Sequence, residues 1–194
     1  MSNKKIFLKN IAEHIDLIER LNNIQDRVYK AAEIMAETLR SGGRIFLCGN
    51  GGSAADAQHM AAELSGRYLR ERKALDAVAL NTNISAITAI GNDYSFDDVF
   101  ARQVEAHGRN GDILLAISTS GNSINILQAV KKAKEIGLTT IGLTGESGGK
   151  VGEITDLLLD VPSSSTPRVQ EIHLLIEHST CEIIENIICA CDIE

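Results

Sequence analysis

At 194 residues the chain carries about one domain's worth of sequence, enough to bury a core of its own. Its 44% hydrophobic and 23% charged residues suit a folded globular protein and exclude intrinsic disorder as the main state; no apolar run approaches the roughly 18 residues that span a bilayer. A net charge of −7, with three Tyr, four Phe and no Trp, argues against a nucleic-acid binder, which needs a basic face and rings for stacking, although a single loop can still hold a phosphate.

Met1–Lys9 contains lysines, but no apolar h-region or cleavage site follows, so no signal peptide is expected. Residues 3–40 contain neither Pro nor Gly. Ile11, Ile15 and Ile18 lie on one helical face, with Leu17, Leu21 and Ile24 on another. The pattern predicts two helices broken near Asn22–Asn23 and ended by Ser41-Gly42-Gly43. A stripe this wide is buried on more than one side, which points to a subunit interface.

From Arg44 the pattern changes to short apolar runs separated by helical stretches. Runs at 44–48, 76–80, 112–117, 138–143 and 157–161 predict five strands. Helices are expected from the glycine loop at 49–53 to Gly66, over 84–90 and 96–106, from Ser123 to Ile136, and from Thr166-Pro167 towards the C-terminus, with Thr166 as N-cap and Pro167 in the first turn. Apolar runs without alternation mean a parallel sheet covered on both faces. The expected fold is α/β, a three-layer α/β/α sandwich around a doubly wound five-stranded parallel sheet, and the loops at 49–53 and 118–123 fall at the carboxyl ends of strands, where such sheets bind ligands. Cys48, Cys181, Cys189 and Cys191 show no CxxC spacing, so free thiols and a reducing cytoplasm are expected.

Ser118-Thr119-Ser120-Gly121-Asn122-Ser123 offers four hydroxyls between a strand and a helix N-terminus, a site for an anion held by hydroxyls, amides and helix dipole with no basic residue up to Val130. It also fits an ordinary Ser/Gly turn. Gly49-Asn50-Gly51-Gly52-Ser53-Ala54 matches G-x-G-x-x-A, but the strand that follows ends Leu80-Asn81-Thr82, without the acidic residue a dinucleotide ribose needs. A loop lying close to a sugar, with Asn50 and Ser53 in contact, is the alternative. His59 and Glu63 share a helical face at i and i+4, which suits a divalent metal, although Glu63 could pair with Arg67 instead. Gln170 and His178 on the last helix are possible completing ligands; they stand roughly 12 Å apart along the axis. They meet at one point only by leaning together or by coming from different subunits. Asn92–Asp93, after a break at Gly91, reads as a polar pair in a loop or a helix cap, and His14, His107 and His173 show no constellation.

Taken in order, Cys48–Ser53, His59-x-x-x-Glu63-Leu-Ser-Gly-Arg-Tyr68, Ala89–Asp93, Ile117–Ser123, Arg168-Val-Gln-Glu-Ile-His173 and His178 resemble the bacterial phosphoheptose isomerase family, which has the SIS (sugar isomerase) fold. The resemblance spans the chain and implies one SIS domain over 1–194, with 1–41 as packing and oligomerisation helices and 44–194 as the α/β core. It implies conversion of sedoheptulose 7-phosphate to D-glycero-D-manno-heptose 7-phosphate, the first step towards the activated heptoses of lipopolysaccharide, capsule or S-layer glycans. It also implies a cytoplasmic homotetramer with sites between subunits, a small sugar phosphate as partner, and no nucleic acid or membrane. Carried over by motif, His59, Glu63, Gln170 and His178 would bind zinc. Asn50, Gly51, Gly52, Ser53, Glu63, Asn92, Asp93, Ser118, Thr119, Ser120, Ser123 and Gln170 would contact the sugar phosphate. Thr166-Pro167 departs from several relatives, which carry an acidic residue there.

The resemblance assigns the catalytic pair to Glu63, taking the carbon-bound proton, and His178, serving the oxygen side, with zinc polarising the carbonyl. A non-enzymatic SIS protein that binds the replication initiator, and a phosphosugar-sensing or lyase-type SIS domain, are the rival readings; retention of all four metal-capable residues favours the enzyme.

Overall fold

The computed structural model describes residues 3–191 and, apart from residues 22, 23 and 191, their side chains. The Gly- and Pro-free start folds as α1 (Ile6–Glu19) and α2 (Gln25–Arg40), joined by a 3-10 turn at Leu21–Ile24. Then strands and helices alternate: β1 (Ile45–Gly49), α3 (Gly52–Ser65), β2 (Ala77–Ala79), α4 (Ile84–Asp93), α5 (Ala101–His107), β3 (Ile113–Ser118), α6 (Ile124–Ile136), β4 (Thr139–Thr144), α7 (Gly149–Gly152) and β5 (Leu157–Asp160). The long α8 (Thr166–Cys191) closes the described chain, and the expected run to residue 194 lies outside it.

All strand pairings are parallel, in the order β2-β1-β3-β4-β5. The central strands are buried along their whole length because helices cover both faces, as the unalternating apolar runs imply. Ile45 and Leu47 of β1, with Ile113, Leu115 and Ile117 of β3, face one core together with α2, α3 and α8. Phe46, Cys48, Leu114 and Ala116 face the opposite core, packed by α5 and α6. β1 and β3 are neighbours, yet β1 leads by α3 to β2 on its other side, so the direction of winding reverses between them. Gly49 pairs with Ile117 at that switch point, and a ligand crevice opens beyond the carboxyl ends of the two strands.

Three local readings are corrected. Asn92 and Asp93 do not form a loop: α4 runs through Gly91 to Asp93, started by Asn83, whose Oδ1 accepts the Ala86 N–H, and closed by a bond from Tyr94 N–H to the Ile90 carbonyl. An internal glycine costs a helix only about 1 kcal/mol, and a side-chain N-cap such as Asn83 contributes about as much. The stretch 96–106 splits into a 3-10 turn at Phe96–Asp98, begun by Ser95, and α5. Thr166 is the first helical residue rather than the cap; the Ser165 carbonyl accepts the first helical bond, from Val169 N–H.

Leu115, 2% exposed at the middle of the central strand, tests this packing. Leu115→Ala should lower the unfolding free energy in urea by about 2–5 kcal/mol, the usual range for a core leucine; a loss below about 1 kcal/mol would mean the two-sided core is not packed as described.

Candidate active site

The loop from β1 into α3 is built for close approach. A Cβ at Gly52 would stand 2.3 Å from Gln170 Nε2, so the amide of Gln170, from the start of α8, can rest there only because the residue is glycine. Asn50 is held by a buried partner, Asn125 in the first turn of α6: each amide donates to the other's carbonyl oxygen at 2.9 Å. Asn81, two residues past the end of β2, donates to the Gly49 carbonyl at 2.8 Å. The switch point is thus cross-braced from β2, α6 and α8. Asn125 and Asn81 were not singled out from the sequence, because each bonds a segment distant along the chain.

The hydroxyl cluster gathers at the start of α6. Ser118 is buried at the end of β3, with its Oγ 3.3 Å from that of Ser123, which precedes α6 and makes no capping bond with its side chain. Thr119 is half-buried and Ser120 exposed. Ser120 Oγ accepts the Asn122 N–H, and the Asn122 amide returns to the Ser120 carbonyl. The segment after β4 and α7 itself buttress this loop: Gly145 N–H bonds the Thr119 carbonyl, and Val151 N–H, within α7, bonds that of Gly121. Gly121 has φ +62°, and a Cβ there would fall 1.9 Å from the Gly148 carbonyl oxygen, so the buttress needs this glycine.

Two helices bring the metal-capable trio together. On α3, His59 and Glu63 meet at i, i+4, with His59 Nε2 3.6 Å from Glu63 Oε1. From α8, His178 Nε2 reaches within 2.8 Å of His59 Nε2, and the three donor atoms all lie within 4.8 Å of one another. The two rings cross at 72°, and the Tyr68 ring stacks on His178 at 5.5 Å. Two imidazole nitrogens facing each other are served by one proton between them or by one cation in front of both. Two imidazoles and a carboxylate, all half-buried, form the set that catalytic zinc sites use while leaving a further position open. The residues therefore fit a zinc ion. Gln170 sits two helical turns back along α8, against Gly52. Arg67 pairs with Glu71 at 3.8 Å, so the alternative Glu63–Arg67 contact does not form. Asn92 and Asp93 are exposed at the end of α4 and bond each other; among the described residues neither bonds another candidate.

Behind the trio lie titratable groups that the sequence did not single out. His173 is fully buried with Nε2 3.0 Å from the Thr144 carbonyl, so Nε2 carries the proton; burial pulls its pKa from 6.5 down to about 4. Glu177, 1% exposed with neither carboxyl oxygen bonded, is pushed by burial and by nearby Asp56 up to about 9. Asp56 is itself raised by burial, against the pull of His59. His14, placed in no constellation above, lies 2.8 Å from Glu171, which also pairs with Arg168.

Residues 7–145 match the SIS domain family. The phosphoheptose isomerase of Aliarcobacter butzleri is 54% identical over 184 residues, covering 94% of this chain and 97% of that one. Among solved structures, the phosphoheptose isomerase of Neisseria gonorrhoeae superposes with a TM-score of 0.90 at 46% identity, covering 94% of this chain and 98% of its own. That of Francisella tularensis gives 0.93 at 39% identity, covering 96% of this chain and 100% of its own.

The burial of His173 sets a pH dependence. Its folded pKa lies below its unfolded one, so its contribution to stability is complete above pH 6.5 and is lost as pH falls towards about 4. At about 1.4 kcal/mol per unit, the wild type should lose up to about 3 kcal/mol across that window relative to His173→Gln, measured as unfolding free energies in urea. Parallel pH curves for the two proteins would contradict a buried neutral His173.

Proposed function

The chain belongs to the phosphoheptose isomerase family of SIS-domain enzymes, and on that premise we propose that it converts sedoheptulose 7-phosphate to D-glycero-D-manno-heptose 7-phosphate, with zinc as cofactor. The observation that carries the reading is the convergence of His59, Glu63 and His178 from α3 and α8, where α3 springs from the Asn50–Ser53 loop at the switch point. Ketose–aldose isomerisation moves a proton between C1 and C2 of the open-chain sugar and needs a carbon base, a proton donor and acceptor for the oxygens, and stabilisation of an enediolate. A zinc ion held by His59, Glu63 and His178 would supply Lewis acidity at the carbonyl.

The remaining steps fall to the chain's own groups. Glu63 removes the carbon-bound proton with the carboxylate oxygen it does not turn towards His59. His178 serves the sugar oxygens. Ser118, Thr119, Ser120 and Ser123 hold the phosphate at the α6 N-terminus, supported by the dipole of a 13-residue helix. Asn50, Gly51, Gly52, Ser53 and Gln170 line the sugar between the two ends. Gln170, which rests on Gly52, serves the sugar and is the fourth metal ligand of the proposed set. Asn92 and Asp93 contact the sugar from the end of α4. Binding at the phosphate, remote from C1 and C2, provides orientation at the reacting carbons.

The same reading extends to assembly and setting. Phe7, Leu8 and Ile15 of α1 are 72%, 66% and 52% exposed. An apolar groove between α2 and α8 is lined by Leu21, Ile24, Val28, Tyr29, Leu175 and Ile183. These faces support a homotetramer in which residues 1–41 join subunits and the sites lie between them. The free thiols Cys48, Cys181 and Cys189 support a reducing cytoplasm. No helix among the described residues is long and apolar enough to cross a membrane. The product would feed activated heptose synthesis for lipopolysaccharide or capsule.

Incubation with sedoheptulose 7-phosphate, followed by NMR, should show the aldose product; no turnover by the zinc-loaded protein would overturn the assignment. Glu63→Gln keeps an oxygen ligand but cannot take the proton. It should retain most of its zinc while kcat falls by about 10²–10⁴. A zinc-loaded Glu63→Gln turning over at the wild-type rate would move the base elsewhere, with His178 next to test.

A further inference from the structure

Glu185 lies on the inward side of α8, two turns beyond His178. Its carboxylate accepts three consecutive backbone N–H groups, from Tyr68 at 2.8 Å, Leu69 at 2.8 Å and Arg70 at 2.9 Å. Arg72 Nε stands 3.0 Å from its Oε1, and both side chains are 1% exposed. That N–H is not aimed along a hydrogen bond, so the attraction is one of charge. A buried carboxylate loaded in this way is an expensive means of filling space, since an apolar residue of the same volume carries no desolvation penalty. Its partners indicate what it is for.

The three amides belong to the segment between α3 and β2, which has no regular hydrogen-bonding pattern of its own over residues 66–76. Glu185 gives this segment a fixed path, and the first residue it grips is Tyr68, whose ring lies nearly parallel to that of His178, at 24°. Arg72 works in the other direction. Its guanidinium donates to the carbonyls of Glu63 at 2.9 Å and Leu64 at 2.9 Å, satisfying acceptors that the last turn of α3 leaves open.

We propose that Glu185 is a positioning residue for the site: through Tyr68 it sets the plane of the His178 ring, and through Arg72 it fixes the turn of α3 that carries Glu63. The proposal rests on His178 and Glu63 being site residues, as read above. Glu185 touches neither the metal donors nor the substrate groups, and acts by making the α3 and α8 halves of the site hold one mutual geometry.

The test uses two readouts that need no turnover. One is the imidazole Cε1–H resonance of His178 in the metal-free protein; the other is zinc affinity by competition with a chromophoric chelator. Thermal melting is followed alongside. Glu185→Gln loses the charge and one acceptor, so it should shift the His178 resonance and weaken zinc binding about 10- to 100-fold, the span seen for groups that orient metal ligands. Tyr68→Phe keeps the ring and should behave as the wild type, whereas Tyr68→Ala should lose zinc affinity. A lowered melting temperature in Glu185→Gln with the His178 resonance and zinc affinity both unchanged would reduce Glu185 to a structural strut and overturn the proposal. If Glu185→Gln does not fold, wild-type zinc affinity in Tyr68→Ala overturns it instead. A wild type that takes up no zinc would defeat the reading of the cation site, and the His178 resonance would then decide the role of Glu185 alone.

Discussion

The site depends on one packing relation: α3 and α8 lie side by side and run in the same direction. Their contacts advance in step along both helices. Gln170 rests on Gly52, His178 meets His59, and Glu185 takes the amides of the segment that leaves α3. Seven residues of α3 and eight of α8 separate the first two contacts, a rise of about 10–12 Å on each helix. A helix pair in register places a glycine loop at one end, a cation-binding trio in the middle and a buried ion pair at the other end. Each of these lies on the side of the sheet where β1 delivers α3.

That register is purchased with buried polar groups. The inward face of α8 carries His173, Glu177, Thr180 and Glu185, each 0–2% exposed, among Ile172, Cys181 and Ile184. Breaking a buried pair such as Arg72–Glu185 by removing one partner typically costs about 3–5 kcal/mol. Glu177 has no bond to offset its burial and is held neutral by it. A helix selected for stability alone would be apolar along this face. Departures from local consistency of this kind concentrate at functional sites. Here they lie on α8 within about two turns of His178, and Glu177 also feels the charge of Asp56 on α3.

The sheet was readable because burial on both faces removes alternation, so Ile45–Cys48 and Ile113–Ile117 stand out as short apolar runs. His59 and Glu63 were readable because an i, i+4 pair is fixed by helix geometry alone, and the Ser118–Ser123 cluster because its hydroxyls are contiguous. What periodicity could not supply were contacts between distant segments: Asn50 with Asn125, Ser120 and Gly121 with the glycine-rich turn at 145–149, and Tyr68 through Arg72 with Glu185. These pairings depend on strand order and helix register, which no local window contains. The extension of α4 through Gly91 was hidden for a related reason, since one glycine costs too little to end a helix that Asn83 caps.

The central claim is that α3 and α8 together form a zinc site from His59, Glu63 and His178. X-ray absorption at the zinc edge of the loaded protein tests it most directly. The account predicts only nitrogen and oxygen neighbours at about 2.0–2.2 Å, with the outer-shell scattering of two imidazole rings, reduced to one ring in His178→Ala. Sulfur at about 2.3 Å, or a spectrum unchanged by His178→Ala, would place the metal elsewhere and contradict it.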